Sequence, residues 1–189
     1  MSFAGVITEQ KRETSRTMEF LAEKDISFLQ ETELFRNLSQ VQIRKVLDVC
    51  RLVTFAEDEV IAREGEEGDT MYIILDGIVE VVKSLIMSDM DEDREKSKVF
   101  TKLTAEDHAV FGEIALLEQL KRTATIRAVT KCTLYEITRD AFLNLTGTDH
   151  ELGYRIFMNL ARIISARLRK ADEDTVKLTT VLSIVLKES

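Results

Sequence analysis

Phe111-Gly-Glu-Ile-Ala-Leu-Leu-Glu-Gln-Leu-Lys-Arg-Thr-Ala-Thr-Ile-Arg-Ala128 passes from a short helical run into a β-type run, and its reading decides the fold. Gly112 lets another group come close to the backbone. Glu113 to Leu117 reads as a short helix, whose first N–H groups lack intrahelical partners and favour an anion. Arg122 stands nine residues after Glu113, at the mouth of a strand, where its planar fork suits a phosphate. Thr123 offers a hydroxyl beside it. An acid is out of place in an anion site unless it accepts from a hydroxyl of the same ligand. Arg122 and helix amides for a phosphate, with Glu113 for a sugar hydroxyl, describe a nucleotide.

Outward from this stretch, from Arg51 to about Ile137, the apolar pattern is that of strands. Leu52–Phe55, Val60–Ala62, Met71–Leu75, Ile78–Val82, Val99–Leu103, Thr125–Ala128 and Thr133–Ile137 are the expected strands. The chain has no proline, so its seven glycines carry the turn information. Gly65-Glu-Glu-Gly-Asp69 supplies a turn with two residues free to take positive φ, and Asp76-Gly77 is a hairpin signal. Many short strands joined by tight turns predict a small antiparallel barrel or jelly roll.

Helical periodicity flanks the strands and divides the chain into an N-terminal helical segment (1–50), a β-barrel (51–137) and C-terminal lid or dimerisation helices (138–189). Ser39 is the expected N-cap of a helix carrying Val41, Val46 and Leu47. A short helix runs from Asp140 to near Gly147, and a long one begins near Asp149. On the long helix Phe157, Ile164, Ala171, Leu178 and Val185 recur every seven residues, with Leu160, Ala161, Leu168 and Leu182 beside them. That stripe either packs on the chain's own barrel or pairs with a second copy. Between two strands, Ser84–Lys98 is a charged insertion. Its Asp89-x-Asp91-x-Asp93 resembles the start of a calcium loop, but Arg94 stands where the loop needs Gly and Phe100 where it needs Glu.

Composition narrows the function classes. With 44% hydrophobic and 32% charged residues the chain can bury a sizeable core. The net charge of −8 argues against a nucleic-acid binder, which needs a basic footprint. No signal-peptide core or membrane-length apolar run is present, so a cytoplasmic protein with no membrane partner is expected. Cys50 and Cys132 are too far apart for a zinc motif and read as free, buried thiols. His108 and His150 are the only histidines; they read as surface or capping residues, and no metal is expected. No serine or cysteine stands in a nucleophile setting, so the chain is not expected to be an enzyme.

The stretch 111–128 resembles the phosphate-binding cassette of cyclic-nucleotide-binding domains, the modules of cyclic-nucleotide-dependent kinase regulatory subunits, gated channels and the catabolite activator family. Phe111, Gly112, Glu113, Ile114, Ala115, Leu116, Arg122, Thr123, Ala124, Thr125, Ile126 and Ala128 match that pattern without a gap. The resemblance covers roughly residues 28 to 145. It implies an α+β, mainly β fold: an antiparallel eight-stranded jelly-roll barrel with N-terminal helices, a short helix in the cassette and a long C-terminal helix. It also implies a ligand, cAMP or cGMP with cAMP preferred, bound by Gly112, Glu113, Ile114, Ala115, Arg122, Thr123, Ala124 and Arg167; the alternatives are a cGMP-selective binder or a ligand-free barrel serving as a dimeric interaction module. Glu113 takes the ribose 2′-hydroxyl and Arg122 the phosphate, with amides of Gly112, Ala115 and Thr123 completing the anion site. Arg167 lies where the family's helix meets the base. Two departures stand out: Lys121 replaces the usual Pro, and Leu103-Thr-Ala-Glu-Asp-His-Ala-Val110 is a longer, less glycine-rich approach to the cassette. The resemblance further implies a sensor that signals to a downstream protein through its C-terminal helix, as a homodimer along that helix. The residues after Asp172 continue as helix, so a DNA-reading helix-turn-helix is not expected.

Overall fold

In the computed structural model, residues 25–84, 97–118 and 120–187 are described. Residues 25–31 form α1, followed by a 3-10 turn at Glu33–Phe35 and α2 (Gln40–Leu47). The strands are β1 (Arg51–Phe55), β2 (Val60–Ala62), β3 (Thr70–Asp76), β4 (Ile78–Ser84), β5 (Ser97–Thr104) and β6 (Val110–Phe111). After α3 (Glu113–Leu117) come β7 (Thr125–Ala128) and β8 (Cys132–Thr138), then α4 (Arg139–Thr148) and α5 (His150–Lys187). The strands make two four-stranded sheets, β1-β8-β3-β6 and β2-β7-β4-β5, with every pairing antiparallel. This is the jelly-roll arrangement that the sequence implies.

The alternation of β3 explains how sheets and helices share one molecule. Successive side chains of a strand point to opposite faces. Tyr72 and Ile74 therefore join Val79, Phe111, Ile126, Ala128, Cys132 and Leu134 in one apolar cluster. Met71 and Ile73 join a second, in which Leu29, Phe35 and Ile43 of the N-terminal segment meet Ile137, Phe142, Leu152, Ile156 and Leu160. Residues from the N-terminal, barrel and C-terminal segments thus pack in one core.

Several local features follow from single residues. Ser39 caps α2 with a full capping box, its hydroxyl accepting from the Gln42 N–H while the Gln42 side chain accepts from the Ser39 N–H. Gly77 sits at φ +95 in the β3–β4 turn, where an added Cβ would lie 2.6 Å from the Lys131 carbonyl. Of the two glycines in the Gly65–Asp69 turn, Gly65 takes positive φ and Gly68 does not. An eighth strand, β6, escaped the pattern because it is two residues long. α4 continues through Gly147. His108 is a partly exposed loop residue with two close partners. Half-buried at φ +47, it packs on the Phe28 ring at 4.7 Å and sets its Nε2 3.2 Å from a Glu31 carboxylate oxygen. Both cysteines are free, and burial pushes the Cys50 thiol up to about 12. The calcium-like motif at 89–93 lies outside the described residues.

The first half of α5 is fixed to the body of the protein. Leu152, Ile156, Leu160 and Ile163 are buried, and so is Asn159 at 1% exposure. Asn159 donates from Nδ2 to the carbonyls of Leu34 (2.9 Å) and Arg36 (2.8 Å), and Arg155 donates to the Asn37 carbonyl. Burying an amide is favourable only when its bonds are made. Asn159→Ala leaves two carbonyls unpaired and is expected to destabilise the fold by about 1–3 kcal/mol; urea unfolding of the variant measures it, with Tyr154→Ala, at a side chain 68% exposed on the same helix, as the control.

Candidate functional site

Beneath α5 and beside α3 the structure has a cavity of about 460 Å3, within the ~300–1,000 Å3 usual for small-molecule sites. Its floor is apolar, made by Ala62, Val81, Leu103 and Ile126. All eight residues singled out in the sequence border it: Gly112, Glu113, Ile114, Ala115, Arg122, Thr123, Ala124 and Arg167. They reach it from α3, from the loop before β7 and from the middle of α5.

Arg122 is held in place before any ligand arrives. Its Nη1 donates to the Thr70 carbonyl at 2.8 Å and its Nη2 to the Thr70 hydroxyl at 2.7 Å. The Thr70 hydroxyl donates to the Tyr72 hydroxyl, which donates to Glu136 at 3.0 Å. Burial, with Glu136 adding to it, pushes the Tyr72 hydroxyl above its ordinary range, so it stays a protonated donor in this relay. Two glycines make room for the guanidinium. A Cβ at Gly68 would lie 2.0 Å from Arg122 Nε, and one at Gly112 would lie 3.0 Å from Nη1 and 2.7 Å from the Thr70 carbonyl. Gly112 also adopts φ +78, in the left-handed region that glycine tolerates. Gly68 is a site residue that sequence reading took for a turn glycine; its function is space.

Glu113 is 4% exposed, at the start of α3. Its carboxylate is met by Arg167, whose Nη1 lies 2.5 Å from Oε1 while Nη2 donates to the Val110 carbonyl at 2.6 Å. Arg167 therefore sits against the acid of the site and the strand leading into it. The Ala115 N–H donates to the Gly112 carbonyl at 3.0 Å, so this amide is already engaged within the turn. Ile114 and Thr123 are exposed at the rim and Ala124 is buried. Lys170, Ala171 and Asp174 of α5 also border the cavity; with Arg167 they have the i, i+3, i+4, i+7 spacing of one helix face. Only Arg167 of these four was anticipated, because the cavity-facing side of a helix is set by its packing.

A buried carboxylate with one cation partner has a clear test. Arg167→Ala leaves Glu113 unpaired and is expected to lower stability by about 1–3 kcal/mol. Arg167→Ala combined with Glu113→Gln should recover part of that loss, and thermal unfolding of the two variants makes the comparison.

The family model of the cyclic nucleotide-binding domain matches residues 52–149. A cGMP-dependent protein kinase of Drosophila melanogaster is 29% identical over 155 residues, covering 80% of this chain and 13% of the kinase. A cAMP-dependent protein kinase regulatory subunit of Dictyostelium discoideum is 34% identical over 122 residues, covering 64% of this chain and 35% of the subunit. The chain thus spans about a third or less of these relatives. A cyclic nucleotide-binding domain from Methylobacillus flagellatus has the same fold, with a TM-score of 0.68 at 22% identity over 82% of each chain. Among the described residues no helix is long and apolar enough to cross a membrane.

Proposed function

The chain belongs to the cyclic nucleotide-binding domain family, and we propose that it is a regulatory domain that binds a 3′,5′-cyclic nucleotide, cAMP first, and passes the event to a partner protein through α5. The observation that carries this is the pairing, on one cavity, of a buried acid and an anchored arginine. Arg122 takes the exocyclic phosphate and Glu113 the ribose 2′-hydroxyl. Gly112, Ile114, Ala115, Thr123 and Ala124 shape the remainder of the cradle, within the barrel segment 51–137. The Ala115 amide reaches the phosphate only if its bond to the Gly112 carbonyl gives way, so the cassette rearranges as it binds.

The link to α5 is competitive. A ribose hydroxyl seeking Glu113 meets Arg167 already there. Ligand and helix contend for the same carboxylate, so binding free energy moves α5 by as much as the ligand prefers one helix position over the other. A second reading, cGMP, is favoured by the Thr123 hydroxyl and the Asp174 carboxylate on the cavity, since guanine offers donors that adenine lacks. No catalytic or metal-dependent step is part of this role. The kinase relatives support a kinase catalytic domain as the partner class. The free thiols of Cys50 and Cys132 fit a reducing cytoplasm.

Beyond the cavity, α5 exposes Leu168, Leu178, Leu182 and Val185. With Ala161, Ile164 and Ala171 they form a heptad seam that fits a second copy of this chain. Light scattering is expected to give twice 21.6 kDa, and Leu178→Glu with Leu182→Glu to return the monomer; a wild-type monomer at high concentration overturns the dimer.

Calorimetry with cAMP and cGMP tests the binding. Wild type should bind, and Arg122→Ala should lose roughly 100-fold in affinity, since a charge-assisted phosphate contact is worth about 1.5–3 kcal/mol. Gly68→Ala should lose a similar factor with little change in thermal midpoint, because the added methyl displaces only the far end of Arg122. No heat with either nucleotide removes the proposal.

A further inference from the structure

Lys121, which replaces the proline usual in the cassette, has no part in the contacts that position Arg122. The loop around it is fixed by its neighbours. The Arg122 N–H donates to the Glu66 carbonyl at 2.7 Å, and the Gly65 N–H donates to the Arg122 carbonyl at 2.9 Å. Neither bond uses the Lys121 N–H, so what position 121 adds to the loop is a side chain. Among the described residues Lys121 forms no ion pair, although Glu67 stands across from it in a single β-bridge. Lys121 is exposed, and it borders the cavity whereas Glu67 does not.

The charges on the cavity do not balance. Four cations border it, Lys121, Arg122, Arg167 and Lys170, against two acids, Glu113 and Asp174, in a chain whose net charge is −8. Arg167 is taken by Glu113. Lys170 and Asp174 stand four residues apart on α5, neighbours on one helix face, and their charges offset each other. Lys121 and Arg122 remain as the uncompensated pair. Their Cα atoms are about 3.8 Å apart, as in any two successive residues, so one anion can meet both side chains. The two cations differ in kind: Arg122 is a planar fork held by Thr70, while Lys121 is a point charge with three donors on a flexible stem.

We propose that Lys121 is the second cation of the phosphate site, sharing the cyclic phosphate with Arg122. This rests on the cyclic-nucleotide reading and deepens it by adding a binding residue that the cassette pattern does not contain. A cyclic phosphate carries one negative charge spread over two exocyclic oxygens, and the fixed fork and the mobile ammonium each meet one of them. Lys121 is exposed and Arg122 half-buried, so dissolved salt screens the lysine's contribution more than the arginine's. Affinity gained through Lys121 is therefore affinity that salt removes.

Calorimetry with cAMP at low and high salt separates the two cations. Lys121→Gln, which removes the charge and keeps a polar side chain, should weaken binding by roughly fivefold at low salt. The difference from wild type should largely vanish at high salt. Lys121→Arg should bind as wild type does, and Lys121→Glu should bind more weakly than Lys121→Gln. Lys121→Pro should match Lys121→Gln, because the N–H it removes is used by neither bond of the loop. The thermal midpoint should stay unchanged throughout this series, the side chain being exposed. If wild type binds in an Arg122-dependent way while Lys121→Gln binds as tightly at low salt, the second cation is overturned and the binding site stands. A loss that is equal at both salt concentrations, or that tracks a fallen thermal midpoint, overturns it as well. If wild type binds neither cAMP nor cGMP, both readings fall together.

Discussion

A carboxylate withdrawn from water needs a cation or a full set of donors, and the site is organised around how Glu113 meets that need. Its partner, Arg167, comes from the long C-terminal helix. One ion pair therefore joins the cassette to α5, and Arg167's second contact, to the Val110 carbonyl, extends the tie to the strand that enters the cassette. α5 is also held nearer its N-terminus, where Asn159 and Arg155 reach the carbonyls of the 3-10 turn and the loop after it. The helix spans two anchored points, and only one of them is an acid with reason to accept from a ligand.

Arg122 follows a different logic. Its guanidinium is oriented by Thr70 and given space by two glycines, so the fork is already formed where a phosphate would meet it. Pre-organised groups lose less entropy on binding, and an arginine fixed in advance contributes more of its gross interaction to affinity. The two halves of the site are thus prepared unequally. The arginine fork is oriented and uncovered by any ion pair, whereas the acid is already paired with a side chain of α5.

What could be read in advance follows the reach of each signal. Strand alternation, the Ser39 cap and the Gly77 hairpin are local, and the structure has all three where the sequence places them. β6 was missed because two residues carry no period. The role of Gly68 was missed because a glycine that supplies space looks like one that supplies a turn; the difference lies in Arg122, distant in sequence and adjacent in space. The cassette itself was legible residue by residue, since its members lie within one continuous stretch. Arg167 could be named but its partner could not, and Phe100 was read as a strand residue and a failed calcium ligand, with no sign that it borders the cavity. Its exposure to the cavity depends on the register of β4 against β5, which no periodicity records.

The geometry of α5 has a consequence for coupling. Arg167, Lys170, Ala171 and Asp174 border the cavity, while Leu168, Leu178, Leu182 and Val185 stand exposed in a heptad series that also passes through Ala171. Two faces that share a residue are neighbours on the cylinder, about 100° or less apart at 3.6 residues per turn. A rigid helix cannot turn one of them without turning the other. If α5 turned when Arg167 left Glu113, the angle at which the apolar seam is presented would change with it, with no need for a relay of side chains between the two. The continuity of the helix from His150 to Lys187 makes this transmission direct. A break between the cavity and the seam would uncouple them while leaving each intact.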